Sequence, residues 1–140
     1  MAETSFDLLG TVELQIPSKP EWVAVARLAV AAIANRLPFS VEEIEDVKLA
    51  IAEACTICIQ QAPSSNVIAI TCEAATGYLR VRVRDHRDAA RTEELTDKRP
   101  STLAVEGLGI FLIQALMDVV EYRVDSESGT ELVMTKRVSA

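Results

Sequence analysis

The sequence predicts an α+β fold, a two-layer sandwich in which helices cover one face of a mostly antiparallel sheet. Stretches of period-two apolar alternation come in adjacent pairs that no helix splits, the pattern of hairpins rather than of parallel crossovers. Three other stretches carry apolar residues at three- and four-residue steps, the period of helices with one buried stripe. With 140 residues and 49% hydrophobic content, the chain can fill one continuous core between those layers, so residues 1–140 are read as a single domain.

Residues 11–16 alternate Val12, Leu14 and Ile16 with polar neighbours, a half-buried strand ended by Pro17 and Pro20. Over 21–37, Trp22, Val25, Ala26, Ala29, Ile33 and Leu37 recur at helical steps, with Trp22 as a core anchor, and Pro38 closes the helix. Ser40 followed three residues later by Glu43 reads as a capping box, whose two side chains satisfy free backbone amides. A second helix therefore begins there and runs to about Gln61, where Pro63, Ser64 and Ser65 stop it. Residues 67–73 and 78–84 read as strands joined by a short link, Ala74-Ala75-Thr76-Gly77. Residues 85–105 carry nine charged residues and a proline without clear periodicity, which predicts a long, mobile connection of the kind that serves as a lid. Helical spacing returns over 107–119 through Leu108, Phe111, Leu112, Ala115 and Leu116. Residues 120–125 and 130–138 then form a last strand pair around Ser126-Glu127-Ser128-Gly129.

Composition bounds the function. A formal charge of -7 and a pI near 4.7 argue against direct nucleic-acid binding, which draws on counterion release by clustered Lys and Arg. A protein partner or small ligand is favoured. No apolar run reaches the roughly 20 residues that span a bilayer. Residues 1–10 lack the basic, apolar and cleavage-site order of an export signal, so a cytoplasmic location without membrane attachment is expected. Cys55, Cys58 and Cys72 are an odd number in such a chain, which argues against a disulfide framework. Cys55 and Cys58 form a C-x-x-C, but only Cys72 and His86 remain to complete a zinc site, and the pair falls mid-helix on the apolar stripe rather than at a helix start. Buried, reduced thiols and no metal are expected, with His86 as a loop residue. Arg80, Arg82 and Arg84 alternate with Leu79, Val81 and Val83, placing three guanidinium groups on one strand face. That face is either solvated or a docking surface for an acidic partner or a second subunit.

The second helix is the most informative element. Its apolar stripe is Ile44, Val47, Ile51, Ala54, Cys55 and Cys58, and Asp46 and Glu53 fall about half a turn away at roughly 100° per residue. Ile57 follows Glu53 by one turn with an offset of only about 40°, so an alkyl side chain intrudes on an acidic surface that a lid or a partner must cover.

The run Glu45-Asp46-Val47-Lys48-Leu49-Ala50-Ile51-Ala52-Glu53-Ala54-Cys55-Thr56 resembles the first nucleotide-site motif of the anti-sigma factor serine-protein kinases, members of the GHKL ATPase superfamily. Further segments agree in order: residues 12–20 with the helix after them, Arg84-Asp85 at a strand end, Glu106-Gly107-Leu108-Gly109-Ile110-Phe111-Leu112-Ile113 leading to Leu116-Met117-Asp118, Gly129-Thr130, and Met134-Thr135-Lys136. The resemblance covers residues 12–138 and implies the Bergerat, or histidine-kinase-like ATPase, fold with residues 85–106 as the ATP-lid-like loop.

The resemblance also implies roles. Glu53 matches the carboxylate that activates the serine hydroxyl of the phospho-acceptor, chemistry open to a carboxylate within hydrogen-bond reach of the proton it removes. Asp85 matches the acceptor of the adenine amino group, and Thr130 the hydroxyl that supports the same ring edge through water. Gly107 and Gly109 match the lid-to-helix glycines, whose bare backbone lets phosphates approach free helix amides.

Two positions depart from that pattern. The family places an Asn that holds Mg²⁺ where this chain has Ile57, and an alkyl group cannot coordinate a cation that demands oxygen ligands. Losing that ligand removes several kcal/mol of transition-state stabilisation, roughly a thousandfold in rate. After Asp85 the family has an acidic residue and a glycine, where this chain reads His86-Arg87-Asp88. Arg87 brings bulk that would block the adenine approach, or a guanidinium that would meet phosphate in place of the metal.

The implied function is an anti-sigma regulatory factor in transcription regulation and stress response, binding a sigma factor, an anti-sigma factor antagonist of the STAS type, or both. Nucleotide binding and kinase activity are expected to be impaired, and a homodimer is implied. The alternative is an active ATP-dependent serine/threonine-protein kinase that phosphorylates the antagonist, with Glu53 as base and another group holding Mg²⁺. A metal or thiol protein built on the three cysteines is a third class.

Overall fold

The alternation read in the sequence folds into one five-stranded antiparallel sheet in a computed structural model of the chain. It describes residues 8–61, 67–86, 99–125 and 129–139, and only the backbone of 86, 99–106 and 125. The strands are β1 (Leu8–Pro17), β2 (Val67–Ala75), β3 (Tyr78–His86), β4 (Val119–Asp125) and β5 (Gly129–Arg137), in sheet order β1-β2-β3-β5-β4. A 3-10 turn, Pro20–Trp22, leads into α1 (Val23–Ala34), followed by α2 (Val41–Gln61) and, after β3, α3 (Arg99–Leu116). This is the expected α+β sandwich.

The period-two pattern sets the register. Val81 lies between Cys72 and Met134, and Val83 between Ile70 and Leu132, all fully buried. A slip of one residue would turn this whole set outward. The helices close over that face, with Val47, Ile51, Ala54, Cys55 and Cys58 of α2 buried against it. The capping box forms as the sequence implies: the Ser40 amide donates to Glu43 Oε1 at 2.8 Å and the Glu43 amide to Ser40 Oγ at 3.0 Å. Ser139 closes the same corner, its hydroxyl donating to Glu43 Oε2 at 2.6 Å. That bond first, and the Ser40 backbone amide second, hold the Glu43 carboxyl below its ordinary value.

Several boundaries differ from expectation. The hairpin link is only Thr76 and Gly77, because β2 runs on through Ala74 and Ala75, residues expected to turn. His86 ends β3 rather than lying in a loop. The connection expected over 85–105 is shorter at both ends, since Asp85 belongs to β3 and α3 begins at Arg99; residues 87–98 lie outside the described part. Pro100 does not stop α3, because the amides of a first helical turn have no intrahelical acceptor to lose. Trp22 is 43% exposed, not a core anchor, and the stripe that α1 buries is Ala26, Val30 and Ala34.

Candidate functional site

The side of α2 that carries Asp46 and Glu53 is only partly open to solvent, because α3 packs along it. Near the start of α2, Lys136 of β5 donates to the Leu116 carbonyl at 2.7 Å and stands 3.6 Å from Asp46 Oδ2, tying α2, β5 and the end of α3 together. Two turns further on, Glu53 is half-buried and Ile57 is 2% exposed. Gly109 of α3 rests directly on both. A methyl group placed on Gly109 would lie 3.1 Å from Ile57 Cδ1, 3.3 Å from Ile57 Cγ1 and 3.5 Å from Glu53 Oε1. Glycine inside a helix costs about 1 kcal/mol relative to alanine. The close approach of the helices is the physical reason for one here.

Gly107 is different: it is exposed and a methyl group there would meet nothing within 4 Å. Both glycines lie inside α3, eight or more residues after its start at Arg99, rather than at a helix entrance with free amides. The reason is that residues 101–106 contain no helix breaker, so the helix extends back past the glycines through Pro100 to Arg99.

Asp85 and Thr130 form a second grouping. Asp85 continues the inward series Leu79, Val81 and Val83 on β3 and pairs across the sheet with Ile68. Its carboxylate is 1% exposed, and Oδ1 accepts the Thr130 amide at 3.2 Å. Thr130 is fully buried and follows Gly129, whose φ of 104° only glycine adopts readily. A buried carboxylate braced by a backbone amide is suited to receive an amino group such as that of adenine, so these residues fit the recognition end of a nucleotide. The same cannot be said of Mg²⁺: Ile57 supplies no oxygen at its position. Arg87 lies outside the described residues.

All three thiols are buried. Burial pushes Cys55 up to about 12 and Cys72 to about 11, so both are neutral and poor nucleophiles at physiological pH. Among the described residues, no group of three or more His, Cys, Asp and Glu side chains is arranged to hold a metal. Nor, among those residues, is any helix long and apolar enough to cross a membrane. Sequence reasoning singled out neither Lys136 as the tie between α2 and α3 nor Ser139 on Glu43. Lys136 carried a signal only as part of the Met134-Thr135-Lys136 match, and Ser139 carried none.

Comparison with known proteins agrees with this arrangement. The profile of the histidine kinase-like ATPase domain matches residues 16–136. The chain is 34% identical over 136 residues to the serine-protein kinase RsbW of Bacillus subtilis (strain 168), spanning 89% of this chain and 84% of the relative. It is 38% identical over 135 residues to that of Halalkalibacterium halodurans, spanning 90% and 82%. It is 36% identical over 137 residues to that of Bacillus cereus (strain AH820), spanning 91% and 84%. With the sheet, the three helices and the α2–α3 contact in place, the chain belongs to the histidine kinase-like ATPase domain family, among proteins similar to the serine-protein kinase RsbW.

Proposed function

We propose that this chain is an anti-sigma regulatory factor that binds a sigma factor and an anti-sigma factor antagonist of the STAS type, and that its nucleotide site has lost the capacity for efficient phosphoryl transfer. The observation that carries this reading is Ile57, an alkyl side chain next to Glu53 and beneath Gly109 at the position matched to the metal ligand. Glu53 keeps the chemistry of a general base, and Asp85 with Thr130 keeps that of adenine recognition. Without the cation, charge developing on a transferred phosphoryl group is not neutralised. Leu108 and Phe111, about two-thirds exposed on α3, support a protein partner, since adjacent large apolar side chains on a surface mark contact sites.

Isothermal titration with ATP, with and without Mg²⁺, tests the reading. Weak binding that Mg²⁺ does not strengthen is expected. Tight, metal-dependent binding would instead favour an active serine kinase with Glu53 as base. The double variant Ile57→Asn/Arg87→Gly is expected to bind nucleotide more strongly than the parent; no gain means that the pocket is misplaced.

A homodimer through β1 belongs to the same proposal. β1 is an edge of the described sheet, with Leu8, Leu9 and Val12 exposed beside a cavity of about 630 Å³ lined by Leu9, Gly10, Val12, Ile33 and Arg36. An exposed apolar edge strand favours pairing with a second copy. Sedimentation should find a dimer that Val12→Asp dissociates, and an unchanged mass for the variant would refute this interface.

A further inference from the structure

We propose that the open face of the sheet is a docking surface for an acidic, extended segment of a partner protein. The inference does not rest on the nucleotide site, which lies on the other side of the sheet.

The side chains that alternate with the buried Leu79, Val81 and Val83 point away from the helices. Cross-strand register aligns them in rows: Tyr78 with Arg137, Arg80 with Thr135 and Val119, Arg82 with Val133 and Glu121, Arg84 with Glu131 and Arg123. This face thus gathers five of the fourteen Lys and Arg of a chain whose net charge is -7. A groove of about 550 Å³ crosses β3, β5 and β4 here, lined among others by Tyr78, Arg80, Arg82, Glu121, Thr135 and Arg137. Three guanidinium groups and the Glu121 carboxylate line it, and Glu73 and Glu131 stand beside two of the arginines. Arg80 stands 5.0 Å over the Tyr78 ring, which holds its guanidinium at the groove wall.

Arg123 pairs with Glu131 at 3.4 Å, and the groove arginines Arg80 and Arg82 also have carboxylate neighbours, Glu73 at 3.3 Å and Glu131 at 3.2 Å. Both arginine side chains remain about half exposed, and pairs in that setting contribute little, so a partner's carboxylates can compete for them. Residues two apart on a strand are separated by about 6.8 Å. An extended segment laid along β3 repeats the same spacing, which brings carboxylates at alternate positions opposite Arg80 and Arg82 in step.

Other occupants fit less well. A single small anion would satisfy one or two of the arginines and leave the rest of the groove open. A second copy docked by two-fold symmetry would set this arginine-rich groove against itself. Duplex DNA, with a charge every ~1.7 Å, carries charge far more densely than arginines in rows about 6.8 Å apart, interleaved with Glu73, Glu121 and Glu131, can match.

Fluorescence anisotropy with a labelled peptide of alternating Asp and Thr tests the proposal on the full chain, beside a labelled DNA duplex. The peptide should bind, more weakly as salt rises, and Arg80→Ala/Arg82→Ala/Arg137→Ala should weaken it about tenfold or more. Arg27→Ala on α1 should change nothing. Because three changes on neighbouring strands can destabilise the sheet, Arg82→Glu alone is measured as well, with circular dichroism confirming its fold. Absence of peptide binding, undiminished binding by the folded arginine variants, or preference for the duplex overturns the proposal.

Discussion

Replacing Gly109 by alanine tests the contact on which the candidate site is built. Two opposed effects act on Gly109→Ala. Alanine in a helix interior is favoured over glycine by about 1 kcal/mol. Against that, the new methyl group would stand 3.1 Å from Ile57 Cδ1, inside the ~3.5–4.0 Å at which carbon atoms attract. Ile57 is buried in the core, so it cannot turn aside freely, and overpacking of this kind costs about 1–3 kcal/mol. The expected net effect runs from neutral to a loss of about 2 kcal/mol. Ile57→Val removes the nearest carbon at an intrinsic cost of about 0.5–1.5 kcal/mol and leaves the 3.3 Å approach. In that background Gly109→Ala should cost less or become stabilising. The coupling in the double-mutant cycle should be about 1 kcal/mol, above the ~0.3–0.5 kcal/mol scatter of independent sites. Urea unfolding of the four proteins, followed by circular dichroism, measures it. If Gly109→Ala stabilises both backgrounds equally, α3 does not press on α2 at this point and the geometry claimed for the site is wrong.

Asp85→Ala leaves the buried Thr130 amide without the carboxylate it donates to, an expected loss of about 1–3 kcal/mol, whereas Asp85→Asn keeps an acceptor and should cost less. Equal thermal shifts for the two variants would show that this hydrogen bond carries no stability. The thiols predict a pH effect: Cys55 and Cys72 titrate near 12 and 11 in the folded chain against 9.0 as a free side chain. Between those values the folded state binds more protons, so their contribution is fully present below about pH 9 and is lost as pH rises towards the folded values. Unfolding midpoints should therefore fall more steeply from about pH 9 to about pH 11 in the parent than in Cys55→Ala/Cys72→Ala, and parallel slopes would exclude the thiols as the cause.

Where the sequence pattern was strict, it was legible. β3 alternates apolar and charged residues from Leu79 to Arg84, and Ser40 with Glu43 marks the start of α2 by a mechanism that the hydrogen bonds reproduce. α1 was not legible in the same way. Its sequence, VAVARLAVAAIA, is apolar at nearly every position, so periodicity cannot say which side is buried, and it points neither to Val30 as buried nor to Trp22 as exposed. The start of α3 was hidden because charge density and Pro100 resemble a loop, although proline is tolerated in a first turn. At the site, periodicity put Glu53 and Ile57 on one side of α2 but could not name what covers them. That two helices converge there at Gly109 is tertiary information, suggested only by the resemblance of separated motifs.

The strand β3 serves both sides of the sheet. Leu79, Val81, Val83 and Asp85 face the helices, and Arg80, Arg82 and Arg84 face outward, so the carboxylate proposed for adenine recognition and the arginines proposed for docking are separated by single residues along one backbone. Their placement has a common cause. The burial of Leu79, Val81 and Val83, each worth about 1.5–3 kcal/mol, outweighs any single polar contact made by the strand. A slip of one residue would expose those three, bring guanidinium groups into the core and carry Asp85 into solvent. The apolar residues of β3 therefore fix where both of its polar sets stand, and a change to one of them is expected to disturb the two surfaces together.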